Sequence, residues 1–153
     1  SGEALGVLFM DLDGFKGVND TLGHDVGDRL LAAVGERMRR CVREGDEVAR
    51  MGGDEFTFLL PQIRGREDLA SVAEKILRSF REPFALGTGD PVRVTPSIGG
   101  AVYPLDGGGL QELLKLADLA MYRTKERGRN GFTQAGDLPG GGKGMADRGG
   151  AGT

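Results

Sequence analysis

A short acidic turn between two apolar runs constrains this chain more than any other feature of its sequence. The segment Gly52-Gly53-Asp54-Glu55-Phe56 joins Val48–Met51 to Phe56–Leu60, which predicts two strands connected by a tight hairpin. Paired glycines suit a turn that needs positive φ angles. Asp54 and Glu55 crowd two negative charges into that turn, and such charges repel unless a cation neutralises them. The turn therefore indicates a site for a bound cation.

Apolar spacing along the chain predicts three helices and five strands. The helices have apolar residues at intervals of three and four, whereas the strands are short apolar runs. Gly128 is expected to cap the last helix, and Pro96 indicates an edge position or an irregularity in its strand. In chain order, the predicted elements are strand Leu5–Met10, helix Asp28 to about Val42, strand Val48–Met51, strand Phe56–Leu60 ended by Pro61, helix Glu67–Arg81, strand Val92–Tyr103, helix Leu110–Arg127 and a short strand Phe132–Thr133.

The order of these elements predicts an α+β fold. Its first six elements follow the ferredoxin-like split βαβ order, with a central, mostly antiparallel sheet and helices on one face, a two-layer α/β sandwich. The end of the first strand then lies beside the hairpin, so Asp11 and Asp54 are expected to meet at one edge of the sheet. The predicted domain covers residues 4–134. Residues 135–153 are rich in glycine and poor in large apolar side chains, which predicts a flexible tail or linker.

Charge and composition exclude several classes of function. With a net charge of −3, the chain lacks the basic surface that broad nucleic-acid binding requires. A single cysteine, Cys41, excludes an internal disulfide and suits the reducing cytoplasm, and with a single histidine, His24, a closed zinc site is unfavourable. No apolar run approaches the ~18 residues needed to span a bilayer. Direct membrane contact by this domain is not expected, although a parent protein could be membrane-anchored.

A second acidic pair, Asp11 and Asp13, follows the predicted first strand. The pair is also compatible with an ordinary polar turn at the end of a strand. An EF-hand fits poorly, because Leu12 and Phe15 interrupt the ligand pattern and Leu22 stands where a glutamate is required. Carboxylates with an adjacent lysine favour Mg²⁺ bound together with phosphates. The segment therefore predicts a magnesium site shared with the hairpin.

Polar residues further along could serve either the fold or a nucleotide. Asn19 or Asp20 could cap a turn, and Asp25 or Asp28 could cap the helix that follows. Alternatively, this segment could recognise guanine, because a carboxylate accepts two N–H bonds from N1 and N2 and an amide can bond other edge atoms. His24 is expected to be structural.

Two basic residues near the end of the last predicted helix leave a similar choice. Lys125 and Arg129 stand four residues apart, so both could point the same way. They could form a solvated basic helix end that complements the macrodipole, or they could clamp transferred phosphates. A Walker A loop is excluded, because Gly140–Gly144 lacks the spacing and the following Ser or Thr.

Taken together, these residues resemble the GGDEF family of diguanylate cyclases. The resemblance implies an enzyme that condenses two GTP molecules into cyclic di-GMP and two pyrophosphates. Each protomer of a homodimer holds one GTP, and the 3′-hydroxyl of each GTP attacks the α-phosphate of the other. The resemblance covers roughly residues 5–133 and rests on Asp11 through Asp28, Asp46–Phe56, Ser97-Ile98-Gly99 and Ala117-Asp118 through Arg129-Asn130.

The resemblance implies roles for individual positions. Asp11 and Asp54 are the expected side-chain ligands of two Mg²⁺ ions, with Mn²⁺ as an alternative, and the carbonyl of Leu12 adds a backbone ligand. Glu55 is expected to assist metal binding or deprotonation of the attacking hydroxyl. Substrate contacts fall to Asn19 and Asp28 for guanine, to Phe15, Lys16, Lys125 and Arg129 for the phosphates, and to Gly52 and Gly53, whose backbone the nucleotide approaches.

A second site is implied by the segment Arg43-Glu44-Gly45-Asp46. Its spacing from the hairpin in the sequence matches that of the family's RxxD inhibitory site. In the family, the product binds at that site and holds the domain inactive. Arg43 would bond guanine or phosphate oxygens, and Asp46 would accept guanine N–H groups. Lys75 or Arg78 would add a further basic group, and the sequence does not choose between them. Taken alone, such an Arg and Asp often form a simple surface pair.

The chain departs from the family pattern at its start. The usual N-terminal segment and first helix of the family domain are missing, which predicts lower stability and weaker triphosphate binding. A sensory domain or an EAL-type phosphodiesterase domain is expected in the parent protein. The alternative to an enzyme is a non-catalytic regulatory domain that binds GTP or cyclic di-GMP. A cyclase that makes a mononucleotide fits the fold but not the pattern of Asn19 and Asp28.

Overall fold

A five-stranded sheet forms the centre of the protein. The computed structural model describes residues 4–87 and 89–139. The strands lie in the order β2-β3-β1-β4-β5, and all neighbours are antiparallel except β4 and β5. The α+β class and the mostly antiparallel sheet are thus confirmed. Along the chain, the elements are β1 (Ala4–Asp13), α1 (Phe15–Leu22), α2 (His24–Cys41), β2 (Glu47–Gly52), β3 (Glu55–Ile63), α3 (Arg66–Ser79), β4 (Thr95–Tyr103), α4 (Leu110–Glu126), β5 (Gly131–Gln134) and a 3₁₀ turn (Ala135–Asp137).

The two faces of the sheet carry separate apolar cores, because side chains alternate along each strand. On one face, Leu8 and Met10 of β1 belong to a core shared with α2 and α3. On the other face, Val7 packs with Ala101 and with buried residues of α4. The expectation of helices on one face therefore holds for α2 and α3, whereas α4 covers the opposite face. The split βαβ pattern could not predict the position of α4, because this helix follows the six elements that the pattern covers. None of the helices described is long and apolar enough to cross a membrane.

The C-terminal half of α4 lies directly against β4. A Cβ on Gly99 would stand 2.0 Å from the Met121 nitrogen and 2.3 Å from the Ala117 oxygen, so only glycine allows this approach. Thr124 Oγ1 donates to the Ile98 carbonyl oxygen over 2.7 Å, which adds a buried hydrogen bond between helix and strand. These contacts fix the end of α4 over the middle of the sheet.

Helix α1 was not predicted from the sequence. It spans only Phe15–Leu22, and its single buried side chain is Phe15. Gly17, Asn19 and Asp20 lie within it, and all three have low helix propensity. Packing against α2 therefore outweighs local preference, and Asn19 and Asp20 do not cap a turn.

The start of α2 also differs from the prediction. The helix begins at His24, four residues before Asp28, and its N-cap is Gly23, with a φ of 95° and no capping side chain. Asp25 and Asp28 consequently lie inside the helix and do not cap it. The prediction did not extend the apolar spacing back to Val26, which lies four residues before Leu30 and packs against the same core.

The prediction that Pro61 ends its strand is wrong. Strand β3 continues through Pro61 to Ile63. Its pairing with β2 reaches only Leu59, and its register with β1 shifts between Ala4 and Gly6, next to the proline. The missing N–H of Pro61 thus falls where the ladder is already interrupted.

Strand β4 begins at Thr95, later than the predicted start at Val92, which instead forms an isolated bridge with Phe84. Pro96 precedes Ser97, the first residue of β4 that pairs with β5. Pro96 therefore has a strand neighbour on one side only, and the predicted edge position is confirmed locally.

The C-terminal part of the fold extends beyond the predicted boundary at residue 134. Gly128 has a φ of 113°, which confirms the left-handed cap after α4. Ala135 and Leu138 are buried in the core beneath α4. The tail prediction is corrected for these residues, because burial of a few apolar side chains anchors a glycine-rich segment. Residues 140–153 lie outside the described part of the chain.

Candidate active site

The end of β1 lies beside the hairpin turn between β2 and β3. Strand pairing sets Asp11 opposite Glu55. The Leu12 N–H donates to the Asp54 carbonyl oxygen across 3.2 Å. The predicted proximity of Asp11 and Asp54 is therefore confirmed.

The hairpin turn has the backbone geometry that its glycines suggested. Gly52 and Gly53 have φ angles of 117° and 54°. A Cβ at either position would meet no heavy atom within 4 Å, so the backbone conformation and not packing favours glycine. Arg50 Nη1 donates to the Gly53 carbonyl oxygen over 2.7 Å and ties the turn to β2.

Lys125, near the end of α4, reaches this acidic centre. Its Nζ forms a hydrogen-bonded ion pair with Asp11 Oδ2. The other oxygen, Asp11 Oδ1, is buried and has no hydrogen-bond partner within the described part of the chain. A buried carboxylate oxygen without a donor is costly. The site therefore favours an additional cation.

The electrostatics of the site agree with that requirement. Burial, followed by the charge of Asp11, raises the pKa of Asp54 from 3.8 to about 6. Burial acts to lower the pKa of Lys125, but the hydrogen bond and charge of Asp11, with the charges of Asp54 and Glu55, raise it overall. At neutral pH, the two aspartates repel each other, and a bound cation would relieve that repulsion.

The donor set fits Mg²⁺ bound together with phosphates. Within residues 4–87 and 89–139, no three or more His, Cys, Asp or Glu side chains form a metal-binding group. Mg²⁺ commonly takes one or two carboxylates and completes its octahedron with phosphates and water, so Asp11 and Asp54 suffice. The Leu12 N–H points at the hairpin, and in an antiparallel strand the carbonyl of the same residue faces the same neighbour. The Leu12 carbonyl thus also faces the turn.

Asn19 and Asp28 lie on neighbouring helices that meet at Gly27. A Cβ on Gly27 would stand 1.8 Å from Asn19 Oδ1, so any side chain at this position would displace the Asn19 amide. Asp28 also lines a cavity of about 590 Å³ between α2 and the hairpin strands, together with Leu31, Ala32, Gly35, Glu36, Arg39, Val48, Arg50 and Phe56. The cavity is large enough for a planar base beside the hairpin.

Sequence reasoning missed three residues that shape this site, Gly27, Gly99 and Arg50. A glycine inside a helical pattern costs stability and signals a close contact, so Gly27 carried a detectable signal. Gly99 carried a weaker one, as a glycine within a predicted strand. Arg50 carried none, because its hydrogen bond to the turn depends on the folded hairpin.

Asp13, the second acid of the predicted pair, has a different environment. Its Oδ1 accepts a hydrogen bond from Ser97 Oγ (2.8 Å), and its Oδ2 accepts bonds from Thr95 Oγ1 (2.7 Å) and the Asn130 N–H (3.1 Å). Arg129 Nε lies 3.9 Å from Oδ1. Protein donors thus bond both oxygens of Asp13, whereas Asp11 keeps one oxygen without a partner among the described residues, so Asp11 is the acid of the pair that favours a metal.

The predicted phosphate positions approach the end of β1 from two elements. Phe15 and Lys16 begin α1, and Lys125 and Arg129 lie at and just beyond the end of α4. The ring of Phe15 is buried in the core, so its backbone is the part able to face a nucleotide. Lys16 and Arg129 are exposed, whereas Lys125 is partly buried against Asp11.

The predicted second site lies in the turn between α2 and β2. The Arg43 N–H donates to Asp46 Oδ2 over 2.9 Å. The Arg43 guanidinium lies 3.9 Å from both Asp46 Oδ2 and Asp68 Oδ2, and Asp68 belongs to the first turn of α3. Lys75 and Arg78 are exposed further along α3. The structure brings Arg43 and Asp46 together, and the α3 side chain within ion-pair distance of Arg43 is Asp68.

Comparison with known sequences identifies the family of this domain. The family model described as "Diguanylate cyclase, GGDEF domain" matches residues 1–131. The chain belongs to the GGDEF family. Both the fold of this GGDEF domain and its hairpin signature agree with the resemblance found in the sequence.

Relatives and solved structures agree with the assignment. The GGDEF domain is 50% identical over 126 residues to the bifunctional diguanylate cyclase/cyclic di-GMP phosphodiesterase MucR of Pseudomonas aeruginosa, covering 82% of this chain and 18% of MucR. It is 44% identical over 129 residues to the cyclic di-GMP phosphodiesterase NbdA of the same organism, covering 84% of this chain and 16% of NbdA. A crystal structure of the GGDEF domain of TpbB, also from Pseudomonas aeruginosa, matches with a TM-score of 0.84 at 41% identity, covering 86% of this chain and 82% of that chain. The chain thus spans less than a fifth of the length of MucR or NbdA.

Proposed function

We propose that this GGDEF domain is a diguanylate cyclase, which condenses two GTP molecules into cyclic di-GMP and two pyrophosphates. One observation carries the proposal. Asp11, Asp54 and Lys125 converge at the end of β1, where a buried Asp11 oxygen has no partner among the described residues. The hairpin also retains every residue of the family signature, Gly52 to Phe56.

The acidic residues provide the reaction centre. Asp11, Asp54 and the carbonyl of Leu12 would hold two Mg²⁺ ions, or Mn²⁺ in their place. When bound, the metal would activate the 3′-hydroxyl and neutralise charge on the leaving pyrophosphate. With a pKa of about 6, Asp54 is mostly ionised at pH 7 and is available as a ligand. Glu55, beside it in the turn, would take the hydroxyl proton or support the metal.

Other residues would position the substrate. Asn19 and Asp28 would recognise guanine from α1 and α2, next to the cavity that Asp28 lines. Lys16, Lys125, Arg129 and the backbone of Phe15 would hold the phosphates. Gly52 and Gly53 would leave room for the nucleotide, because their Cβ positions are open. Positioning of this kind supplies much of the catalysis in phosphoryl transfer.

The proposed reaction requires a second copy of the domain. Each GTP provides the hydroxyl that attacks the other, so one protomer holds half of the reacting groups and the active form is a homodimer. Because MucR and NbdA are several times longer than this chain, we place the domain in a larger signalling protein with sensory or EAL-type domains. We also place it in the cytoplasm, where GTP is available, whether or not the parent protein is membrane-anchored.

The decisive experiment measures product formation from GTP. The protein is incubated with GTP and Mg²⁺, both alone and fused to a dimeric coiled coil, and cyclic di-GMP and pyrophosphate are quantified. We expect product from the dimeric form and a loss of at least about 100-fold in Asp54→Ala and in Glu55→Ala, because charge stabilisation at the reacting phosphate is lost. A dimeric protein that is folded and binds GTP but forms no product would refute the cyclase proposal.

A regulatory domain is the second candidate, and the similarity to NbdA favours it. NbdA is named a phosphodiesterase at 44% identity to this chain. In this case, the domain would bind GTP or cyclic di-GMP without turnover and control a neighbouring domain. Saturable GTP binding together with the absence of product would support it over the enzyme.

We also propose product inhibition at Arg43 and Asp46. Of the two candidate cations, Lys75 follows Asp68 by seven residues, about two turns, and so lies on the same face of α3. Arg78 instead faces Glu74 at 3.9 Å. Arg43→Ala and Lys75→Ala are expected to weaken inhibition by added cyclic di-GMP, with Arg78→Ala as the matched control. Unchanged inhibition in Arg43→Ala would remove this site.

A further inference from the structure

Asp13 is the one acid of the first motif that the proposed reaction does not use. It lies two residues after Asp11 on β1, and its side chain is only 9% exposed. Hydrogen bonds from Ser97 and Thr95 join it to β4. Its third donor, the N–H of Asn130, comes from the turn after α4. One buried carboxylate thus joins the central strands to the segment that carries Arg129.

The turn that Asp13 holds has an unfavourable backbone. Gly128, Arg129 and Asn130 have consecutive φ angles of 113°, 67° and 49°. Residues other than glycine rarely adopt this left-handed conformation, so surrounding contacts must hold Arg129 and Asn130 in it. The Arg129 N–H donates to the Thr124 carbonyl oxygen over 2.9 Å, and Asp13 Oδ2 accepts the next N–H, that of Asn130.

We propose that Asp13 is a positioning residue that holds this turn and thereby directs the Arg129 guanidinium toward the triphosphate. Arg129 Nε is 3.9 Å from Asp13 Oδ1, beyond hydrogen-bond distance, so the carboxylate orients the guanidinium without consuming its donors. The Arg129 side chain is 60% exposed and remains accessible to a ligand. The inference rests on the proposed function, because it takes the triphosphate as the ligand of Arg129.

A double-mutant cycle tests whether Asp13 acts through Arg129. Binding of a fluorescent GTP analogue with Mg²⁺ is measured at protein concentrations too low for turnover. Asp13→Asn keeps the shape but removes the charge, and we expect about tenfold weaker binding. In an Arg129→Ala background, the same change is expected to alter binding by less than about twofold, because the affected interaction is already absent. Additive losses would overturn the proposal.

Asp106→Asn is the matched control for a merely structural effect. Asp106 is also a buried aspartate, which accepts the Val102 N–H over 2.8 Å and pairs with Arg66 beyond the opposite end of β4. Its substitution is expected to lower stability and leave affinity for the GTP analogue unchanged. Equal losses of affinity in Asp13→Asn and Asp106→Asn would also overturn the proposal.

A second variant covers the case in which Asp13→Asn does not fold. Thr95→Val removes the hydroxyl that donates to Asp13 Oδ2 and keeps a β-branched side chain of the same shape at a half-buried position of β4, so the fold is retained. It is expected to weaken binding of the GTP analogue, and not to weaken it further in Arg129→Ala; wild-type affinity would refute the inference. If the wild-type protein itself does not bind GTP, the proposed function and this inference both fail. If it binds GTP and Asp13→Asn has no effect, only the inference fails.

Discussion

Two ends of the sheet each hold a buried aspartate paired with a basic side chain. They differ in whether both carboxylate oxygens of the aspartate have a partner. At the end far from the hairpin, Asp106 accepts the Val102 N–H and pairs with Arg66, so both of its oxygens are occupied. At the hairpin end, Asp11 pairs with Lys125 through one oxygen, and the other is buried without a partner in the described ranges. Among the described residues, Arg66 Nε is also buried without a hydrogen-bond partner, but Asp106 already neutralises the charge of Arg66.

A buried aspartate paired with a basic side chain therefore serves the fold at one end and a ligand site at the other. A buried ion pair is costly to break when its partners are fully satisfied, as Asp106 is. A site that must bind a ligand instead keeps polar groups unsatisfied until the ligand arrives. The ionised form of Asp54 is also disfavoured at this end, because burial and the charge of Asp11 raise its pKa.

Substitution of Asp11 and of Asp106 should give the largest difference between the two ends of the sheet. Asp11→Asn should lower cyclic di-GMP formation by at least about 100-fold, because a metal ligand is lost. Asp106→Asn should lower the free energy of unfolding by about 2–3 kcal/mol and leave turnover unchanged at temperatures where the protein is folded. Product assays and urea unfolding measure both quantities. Comparable losses of turnover in the two variants would break the distinction between the ends.

The second prediction concerns α4, the helix that brings Lys125 to the hairpin end. Gly99→Ala places a Cβ 2.0 Å from the backbone of α4, which must then move. We expect a loss of about 3 kcal/mol in unfolding free energy and a fall in turnover. The control is Gly17→Ala on α1, which meets no heavy atom within 4 Å and should be stabilising by about 0.5–1 kcal/mol. Wild-type stability in Gly99→Ala would show that α4 does not depend on this contact.

Substitution of two glycines tests the same difference between the two ends of the sheet, with a smaller expected effect. Gly27→Ala would displace Asn19, whose Oδ1 lies 1.8 Å from the added Cβ, so GTP should bind about tenfold more weakly. Gly136→Ala would press on Arg66 at the far end, where the added Cβ lies 2.7 Å from Nε. That change should lower the melting temperature and not the affinity for GTP. Titration of GTP into both variants distinguishes them, and equal affinities would contradict the assignment of Asn19.

The smallest effect is a pH dependence confined to the hairpin end. The pKa of Asp54 is raised to about 6 in the folded protein, above its usual 3.8. The folded state therefore binds the proton more tightly, and this contribution to stability is lost as pH rises from about 4 to 6. In EDTA, melting curves should show this fall in the wild type and in Asp106→Asn but not in Asp54→Asn. The effect is modest because Asp54 is only half-buried and solvent screens it. An identical fall in Asp54→Asn would assign it to another group.

Much of the fold follows from local patterns in the sequence. Apolar spacing identified the long helices and the five strands, and the paired glycines identified the hairpin with its positive φ angles. These features depend on residues close together in the chain, where spacing and backbone preference act directly. The same patterns missed α1, several of whose residues have low helix propensity and whose one buried side chain, Phe15, packs in the core.

The order of residues alone predicts that carboxylates follow the first strand and crowd the hairpin turn, because both positions are adjacent to recognisable strands in the chain. It did not determine which of them would be left without a partner. Asp13 meets Ser97 across 84 residues of chain, and Asp11 meets Lys125 across 114. Pairing of β4 with β1 brings Ser97 to the end of β1, and packing of α4 on β4 brings Lys125 there. This tertiary arrangement satisfies one acid completely and leaves its neighbour, two residues earlier, with a buried oxygen that favours a cation.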